Sequence, residues 1–347
     1  MEANLARMAA YCRAHGLALR PHTKTHKVPA LAKRQLESGA CGITVAKVGE
    51  AEVMAANGMT DILIAYPVVG AQKVERLATL AKTATMTVAL DSREAAAGIS
   101  EGAARDGVSI GVLVEINTGF GRCGVTIGPD AVALARYVQE LPGLKLRGVM
   151  AYPGRFLTDP AEHAGLLASE SASCQAILDL FREAGIPIEV FSGGSTPSAP
   201  MSERIPGVTE IRPGTYIYND MNTVGTGVCT LADCAASVLV TVVSTAVPGR
   251  AMIDGGSKTF SSDRNRAGLS AGFGYIREDP AALLAGFSEE HGHIDLSGSN
   301  KQYRVGERLR VIPNHVCAMI NLHNEVYGVR GDTVEVVWNV AGRGKLR

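Results

Sequence analysis

The sequence carries no surplus of either charge: Lys and Arg together number 34, and so do Asp and Glu. Without a net field there is no electrostatic basis for holding nucleic acid or an anionic membrane surface. The expected partner is therefore a small molecule or a second copy of the chain. No apolar run reaches the roughly 18 residues that a membrane span needs. The opening stretch, MEANLARMAAYCRAHG, reads as an amphipathic helix with neither the apolar core nor the cleavage site of a signal peptide. Cysteine is present but unorganised. Cys12, Cys41, Cys123, Cys174, Cys229, Cys234 and Cys317 form no CxxC pair and no dense spacing, so a disulfide framework is not expected and a reducing, cytoplasmic setting is.

What is present is a chain of 347 residues, 46% hydrophobic and 20% charged, suited to one large or two medium domains with a sizeable core. Between residue 17 and about residue 215, short β-rich runs alternate with helical patterns: LALRPHT, GITVA, DILIAYP, MTVALD, SIGVLVEIN, LKLRGVMAY, IPIEVFSGG and VTEIRPG. The stretches between them, such as VPALAKRQLESGA, VGEAEVMAANG and GAQKVERLATLAK, are Ala-rich, keep helical spacing and usually end at Gly. Eight such units predict a closed TIM-type (β/α)8 barrel. After about residue 230 the runs ASVLVTVVSTAV, RAMIDGG, ERLRVIPNH, NEVYGVRG and TVEVVWNV follow one another through Gly-containing turns. They predict a mainly antiparallel β domain. The expected boundary puts the barrel at residues 1–228 and the β domain at 229–347.

In a barrel of this type the chemistry sits at the C-terminal ends of the strands. The first strand ends in Arg20, Pro21, His22, Thr23, Lys24, Thr25, His26 and Lys27, a cation and imidazole cluster that is costly to leave unpaired and so predicts an anionic ligand. The pattern itself leaves Lys24 and Lys27 open as the reactive lysine. Phosphates in such barrels bind at the loops after strands seven and eight. Here those loops read Ser192, Gly193, Gly194, Ser195, Thr196 and Arg212, Pro213, Gly214, Thr215, Tyr216, with the glycines and hydroxyls a phosphate cradle needs. Farther on, His315 and Cys317 lie two residues apart at an expected strand end, where their side chains would point the same way. Imidazole and thiolate together suit Zn2+, and two protein ligands leave open positions for water or substrate. Asp254 to Lys258 reads as a β-domain turn, Glu289 to Gly292 as a polar loop, and Trp338 as a core or interface residue.

RPHTKTHK at 20–27, VEINTGFGRCGV at 114–125, TEIRPGTY at 209–216, EEHGH at 289–293, PNHVC at 313–317 and WNVAGRGK at 338–345 resemble the D-threonine aldolase and D-serine dehydratase family of alanine-racemase-like, fold-type III pyridoxal-phosphate enzymes. The resemblance runs nearly end to end. It implies that Lys24 is the Schiff-base residue and Lys27 a supporting cation, that Arg122 reaches the phenolic oxygen of pyridoxal 5′-phosphate, and that Arg212 lies beside the pyridine nitrogen. It also implies a divalent metal on His315 and Cys317. The cysteine favours Zn2+, with Mn2+ or Mg2+ as alternatives, since relatives with Asp at that place prefer a harder ion. A homodimer follows from the same likeness.

Two departures bear on these expectations. Relatives usually begin with a strand of the type TPALVLDL, whereas this chain starts at MEANLARM; the start is truncated or the β domain lacks one strand. In one type of D-threonine aldolase a His follows the tyrosine of strand six, where it can take a hydroxyl proton, whereas Tyr152 is followed by Pro153. The base would then be another group, such as His22 or Tyr152, or a metal-bound hydroxide. The expected activity is a metal-dependent lyase on β-hydroxy-D-amino acids, cleaving to glycine and an aldehyde. The alternative is a D-serine or 3-hydroxy-D-aspartate dehydratase giving a 2-oxo acid and ammonia. An amino-acid racemase and a non-catalytic pyridoxal-phosphate carrier are the further readings.

Overall fold

The computed structural model describes residues 1–266 and 271–347. The chain forms two compact units, one of residues 5–156, 164–214 and 344–347, the other of residues 1–4, 157–163 and 215–343. The division falls ahead of the composition change at residue 228.

The first unit is built on eight parallel strands: β1 (Ala18–Leu19), β2 (Ile43–Val45), β3 (Asp61–Ile64), β4 (Thr85–Leu90), β5 (Ile110–Ile116), β6 (Leu144–Ala151), β7 (Val190–Gly193) and β8 (Glu210–Ile211). Their ladders run β1-β8-β7-β6-β5-β4-β3-β2. The ring closes where the extended segment after β1 meets β2. Thr44 N–H donates to Pro21 O at 2.8 Å, and His22 and Thr44 form a parallel bridge. The expected (β/α)8 architecture is therefore present, with a first strand shorter than its sequence run suggests. Backbone bonds nonetheless continue past it, from Arg20 N–H to Ile211 O at 2.9 Å and from His22 N–H to Pro213 O at 3.0 Å, until the chain turns at Thr23–Thr25.

The helices between the strands form for local reasons. In the helix Arg93–Asp106 the Ser92 hydroxyl accepts from Ala95 N–H, and Gly107 ends the helix at φ 65°, where a side chain would strain the turn. Its buried face of Ala95, Ala96, Ile99 and Ala103 has helical spacing. Ile62, Ile64, Val88, Val112, Val114 and Val149 pack with those helices in one large cluster. Their strand neighbours Leu63, Ala89, Leu113 and Met150 form a separate, smaller cluster. Because strand side chains alternate, the second set faces the barrel interior. Glu115, Tyr152, Ser192, Glu210 and Arg212 share that parity, so the strands aim their polar ends into the barrel mouth.

Opposite that apolar layer, the interior holds a chain of charges. Asp61 Oδ1 and Arg20 Nη1 lie 2.6 Å apart, Arg20 Nε and Glu210 Oε2 2.6 Å, and the Ser192 hydroxyl donates to Glu210 Oε1 at 2.5 Å. Arg212 Nη1 then donates to the Ser192 oxygen at 2.6 Å and Nη2 to Ala151 O at 2.9 Å.

The second unit carries a six-stranded antiparallel sheet. Its strands are β9 (Val238–Ser244), β10 (Arg250–Ile253), β11 (Gly274–Ile276), β12 (Leu283–Phe287), β13 (Gly292–Asp295) and β14 (Arg308–Pro313), ordered β11-β14-β9-β10-β13-β12. A hairpin of β15 (Glu325–Arg330) and β16 (Thr333–Asn339) is a separate ladder. The β domain is thus mainly antiparallel, as the sequence predicts, but β11, β12 and β13 were not distinguished there. The Glu289–Gly292 stretch is the turn of the β12–β13 hairpin, with Ser288 N–H donating to His291 O at 2.9 Å. Asp254–Lys258 is a turn that leads into a short helix at Ser257–Phe260. Among the described residues no helix is long and apolar enough to cross a membrane.

The interior charge chain yields a stability prediction. Arg20→Met should leave Glu210 and Asp61 without their cation and cost about 3–5 kcal/mol, the range for breaking one partner of a buried pair. Urea denaturation would measure it, and Arg20→Met with Glu210→Gln should recover part of the loss. A single variant as stable as the parent would show that water reaches this chain and screens it.

Candidate functional site

The turn after β1 separates its two lysines. Thr23–Thr25 is one turn of 3-10 helix, held by Thr23 Oγ1 donating to Thr44 O at 3.1 Å and by His22 Nδ1 accepting from Lys24 N–H at 3.5 Å. Lys27 sits at φ 53°, a left-handed conformation that is uncommon outside glycine. Its Nζ is 3.0 Å from Glu50 Oε1, with side chains only 6% and 3% exposed. Glu50 Oε2 also accepts from Ala46 N–H at 2.7 Å. His26 is committed as well, accepting from Val28 N–H at 3.0 Å and meeting Gln35 Oε1 at 3.2 Å. Lys24 is half-buried, and its Nζ has no hydrogen-bond or ion-pair partner among the described residues. The choice that the sequence pattern left open is thereby narrowed by geometry: the neighbours consume Lys27 and leave the Lys24 amine available.

His22 is buried, and burial followed by the charges of Lys24 and Arg212 holds its imidazole well below the ordinary pKa. It is neutral at neutral pH. One ring nitrogen accepts from Lys24 N–H and the ring also bonds to the Thr44 backbone.

Arg122 reaches the same barrel end from the loop after β5. Its guanidinium lies 4.3 Å from the Tyr152 ring centre and 5.7 Å from that of Phe120, a cation-π placement. Nη2 is 4.0 Å from Glu115 Oε1. Glu115 is 3% exposed, and burial raises its pKa against the pull of Arg122 and Arg212. Arg212 is buried; desolvation lowers its pKa to about 10 while Glu210 and Glu115 oppose the shift. It stays charged at neutral pH.

The loops after β7 and β8 pack against these groups. Gly194 has φ 68°, and a Cβ there would come within 2.7 Å of Ile211. Ser195 and Thr196 present buried hydroxyls, but Ser195 N–H already donates to Ser198 Oγ at 2.8 Å. A Cβ on Gly214 would meet Thr25 Oγ1 at 2.8 Å and His22 O at 3.1 Å. Glycine at 214 thus lets the β8 loop lie against the Lys24 turn. Buried hydroxyls, crowded glycines and three nearby cations fit an anionic, phosphate-bearing cofactor.

In the second unit, His315 and Cys317 are not on an extended strand as expected. β14 ends at Pro313, His315 caps a short helix at Val316–Ile320, and Cys317 lies in its first turn. The two side chains meet because the chain folds into a helix between them, not through strand alternation, and they are hydrogen-bonded to each other. Burial opposes the imidazolium of His315, but Cys317, Asp220 and Asp263 outweigh it and lift its pKa to about 9. Thr215 Oγ1 is 3.7 Å from Cys317 Sγ. Tyr216 follows Thr215 in a 3-10 turn and is buried. Asp220 accepts from Val316 N–H at 3.0 Å, fixing the backbone between the pair. Among the described residues no third His, Cys, Asp or Glu joins them as a ligand. One nitrogen and one sulfur donor fit a divalent metal with open positions rather than a closed structural site.

Several of these groups escaped the sequence reading. Glu115 had a signal, a lone carboxylate in the apolar run VLVEI. Glu50, Glu210 and Asp263 had none, because what distinguishes them is a partner distant in sequence.

The geometry accounts for similarities found elsewhere. Residues 1–222 match the family described as alanine racemase, N-terminal domain, and residues 235–329 the one described as putative serine dehydratase domain. The chain is 34% identical to the D-threonine aldolase of Arthrobacter sp, covering 100% of this chain and 90% of that one. It is 35% identical to the D-threo-3-hydroxyaspartate dehydratase of Delftia sp., over 92% and 88%. The crystal structure of D-threonine aldolase from Filomicrobium marinum superposes with a TM-score of 0.91 at 33% identity, over 99% and 93%. A cysteine-to-alanine mutant of D-threo-3-hydroxyaspartate dehydratase in the metal-free form gives 0.88 at 33%, over 98% and 94%. The matched domains, the identity along nearly the whole chain and the shared fold place this chain in the D-threonine aldolase and D-serine dehydratase family of alanine-racemase-like, fold-type III pyridoxal-phosphate lyases.

Proposed function

We propose that this chain is a pyridoxal-phosphate- and divalent-metal-dependent lyase of the D-threonine aldolase type, cleaving β-hydroxy-D-amino acids to glycine and an aldehyde as a homodimer. The observation that carries the reading is the unpartnered amine of Lys24 at the barrel mouth, beside neutral His22 and within the field of Arg122 and Arg212. Lys24 would hold the cofactor, Arg122 would face its phenolic oxygen and Arg212 its pyridine nitrogen. Gly194, Ser195, Thr196 and Gly214, continued in the chain by Thr215 and Tyr216, would hold its phosphate. When bound, the cofactor supplies a conjugated electron sink for charge released at Cα. His315 and Cys317 would hold the metal, for which the thiolate favours Zn2+ over Mn2+ or Mg2+; such an ion supplies Lewis acidity at a β-oxygen.

The chain's own groups divide the remaining work. In cleavage to glycine Cα gains a proton, and Lys24 Nζ is the group available to deliver it. His22 spends its ring on Lys24 N–H and the Thr44 backbone, so its part in this reading is to set the lysine turn. That leaves the Tyr152 hydroxyl as the barrel group nearest in kind to the histidine that Pro153 replaces. Arg122, stacked on the Tyr152 ring, would orient it. The dehydratase reading, in which Lys24 takes the Cα proton and the β-hydroxyl leaves, is supported by the 35% identity to the Delftia enzyme. A racemase or a carrier would have no use for the His315–Cys317 pair.

Four measurements test this. Incubation with D-threonine, D-serine and D-threo-3-hydroxyaspartate should release glycine; a 2-oxo acid with ammonia would make the chain a dehydratase. Borohydride reduction followed by peptide mass spectrometry should find the cofactor on Lys24. A label on Lys27 instead would overturn the assignment, and Lys27→Met should act on stability by stranding Glu50. For the phosphate, Ser195→Ala and Thr196→Val should each weaken cofactor retention about tenfold or more, as expected for a hydrogen bond to a charged group of roughly 1.5–3 kcal/mol. These are cleaner than a change at Gly214, where a side chain would collide with Thr25 whether or not phosphate binds. A chelator should stop turnover and spare the visible absorbance of the lysine-bound cofactor; full activity without detectable metal would remove the metal from the reading.

A further inference from the structure

A site with two protein ligands depends on how firmly each is aimed, because no third or fourth donor corrects a misplaced one. The His315 ring can offer a metal either nitrogen, and a half-turn about χ2 exchanges them. His315 Nδ1 lies 2.7 Å from Asp263 Oδ2. The aspartate is itself held in place: Asn314 Nδ2 donates to its carbonyl at 3.2 Å, and its own N–H donates to Ser261 Oγ at 3.3 Å. The segment that follows is tied down by Asn265 Nδ2 to Met221 O at 3.0 Å and by Arg266 N–H to Asn222 Oδ1 at 2.7 Å. Asp220, the other nearby carboxylate, is occupied with Thr223 N–H, Thr223 Oγ1 and Val316 N–H.

From this geometry we infer that Asp263 is a positioning residue for the metal: it fixes His315 with the proton on Nδ1, so that Nε2 presents its lone pair beside Cys317. The inference rests on the metal reading above and deepens it. Three things support positioning over direct ligation. Asp263 addresses the nitrogen that ligation leaves over. It does not join His315 and Cys317 as a third ligand among the described residues. A carboxylate on the outer nitrogen both locks the tautomer and makes the inner one a better donor. Turning the ring to offer Nδ1 would forfeit the Asp263 bond.

The test is a Zn2+ titration of the full, cofactor-loaded chain in competition with a chromophoric chelator, repeated with Co2+ to follow the thiolate-to-metal absorption. Asp263→Ala should bind Zn2+ roughly 10- to 100-fold more weakly, the usual effect of removing such an outer partner. Asp263→Asn should lose less, since its amide oxygen still accepts from Nδ1–H. Both variants should keep the Co2+–thiolate band and the cofactor absorbance, whereas Cys317→Ala should lose the band. Unchanged Zn2+ affinity in Asp263→Ala, whether or not its melting temperature falls, overturns the inference. So does an Asp263→Asn loss as large as that of Cys317→Ala, which would make Asp263 a ligand. A parent chain that takes up no Zn2+ or Co2+ defeats the metal reading itself and is recognised before any variant is compared.

Discussion

The barrel depends on one buried run of alternating charge, Asp61 to Arg20 to Glu210, passed through the Ser192 hydroxyl to Arg212. Each link is short, and Arg20, Glu210, Ser192 and Arg212 are buried while Asp61 at the end of the run is 35% exposed, so the inner charges would be costly alone and are tolerable only with their neighbours. The run ties β1, β3, β7 and β8 together across the interior, on the side where the apolar layer of Leu63, Ala89, Leu113 and Met150 does not reach. It also determines what Arg212 can do. With one nitrogen spent on Ser192 and another on Ala151 O, the guanidinium is immobile and remains charged. An arginine held that way presents a fixed positive edge to whatever lies in the mouth, which a surface arginine free to swing away would not.

The same logic of committed partners separates the two lysines. Lys27 and Glu50 neutralise each other inside the protein, at the cost of a left-handed backbone at Lys27. That strain is maintained because it turns the chain from the lysine loop into the helix Pro29–Glu37, whose first residue is a proline suited to the position. Lys24, three residues earlier, projects from a turn held by Thr23 Oγ1 donating to Thr44 O and by Lys24 N–H donating to His22 Nδ1. Which carboxylate each lysine can reach thus separates the buried ion pair at Lys27 from the amine at Lys24.

The alternation of strand and helix was legible in the sequence because parallel strands, buried on both faces, read as continuous apolar runs, and because glycines mark where each helix ends. Lys24, both arginines and the glycine loops were singled out for a related reason: the fold puts strand ends at one mouth of the barrel, and these residues lie there. Three strands of the second unit were not. The runs at Gly274–Ile276, Leu283–Phe287 and Gly292–Asp295 are short and rich in glycine, and their pairing comes from long-range neighbours rather than local pattern. The His315–Cys317 segment was misread for the opposite reason. Its apolar residues fit a strand continuing β14, but Asp220 reaches back to take Val316 N–H, and the chain turns into a helix instead.

The charges at the barrel mouth do not balance by themselves. Lys24, Arg122 and Arg212 face His22 closely enough to depress its pKa, and Glu210 and Glu115 stand against Arg212. Glu210 is already engaged with Arg20, and the pKa of Glu115 is raised by its own burial. The mouth therefore keeps positive potential, carried by buried Arg212, half-buried Lys24 and exposed Arg122. A neutral ligand would leave that potential uncompensated, and a single carboxylate would meet it only in part. The arrangement is best satisfied by a ligand bearing a phosphate together with a second anionic oxygen, which is the charge pattern of the cofactor that the family carries.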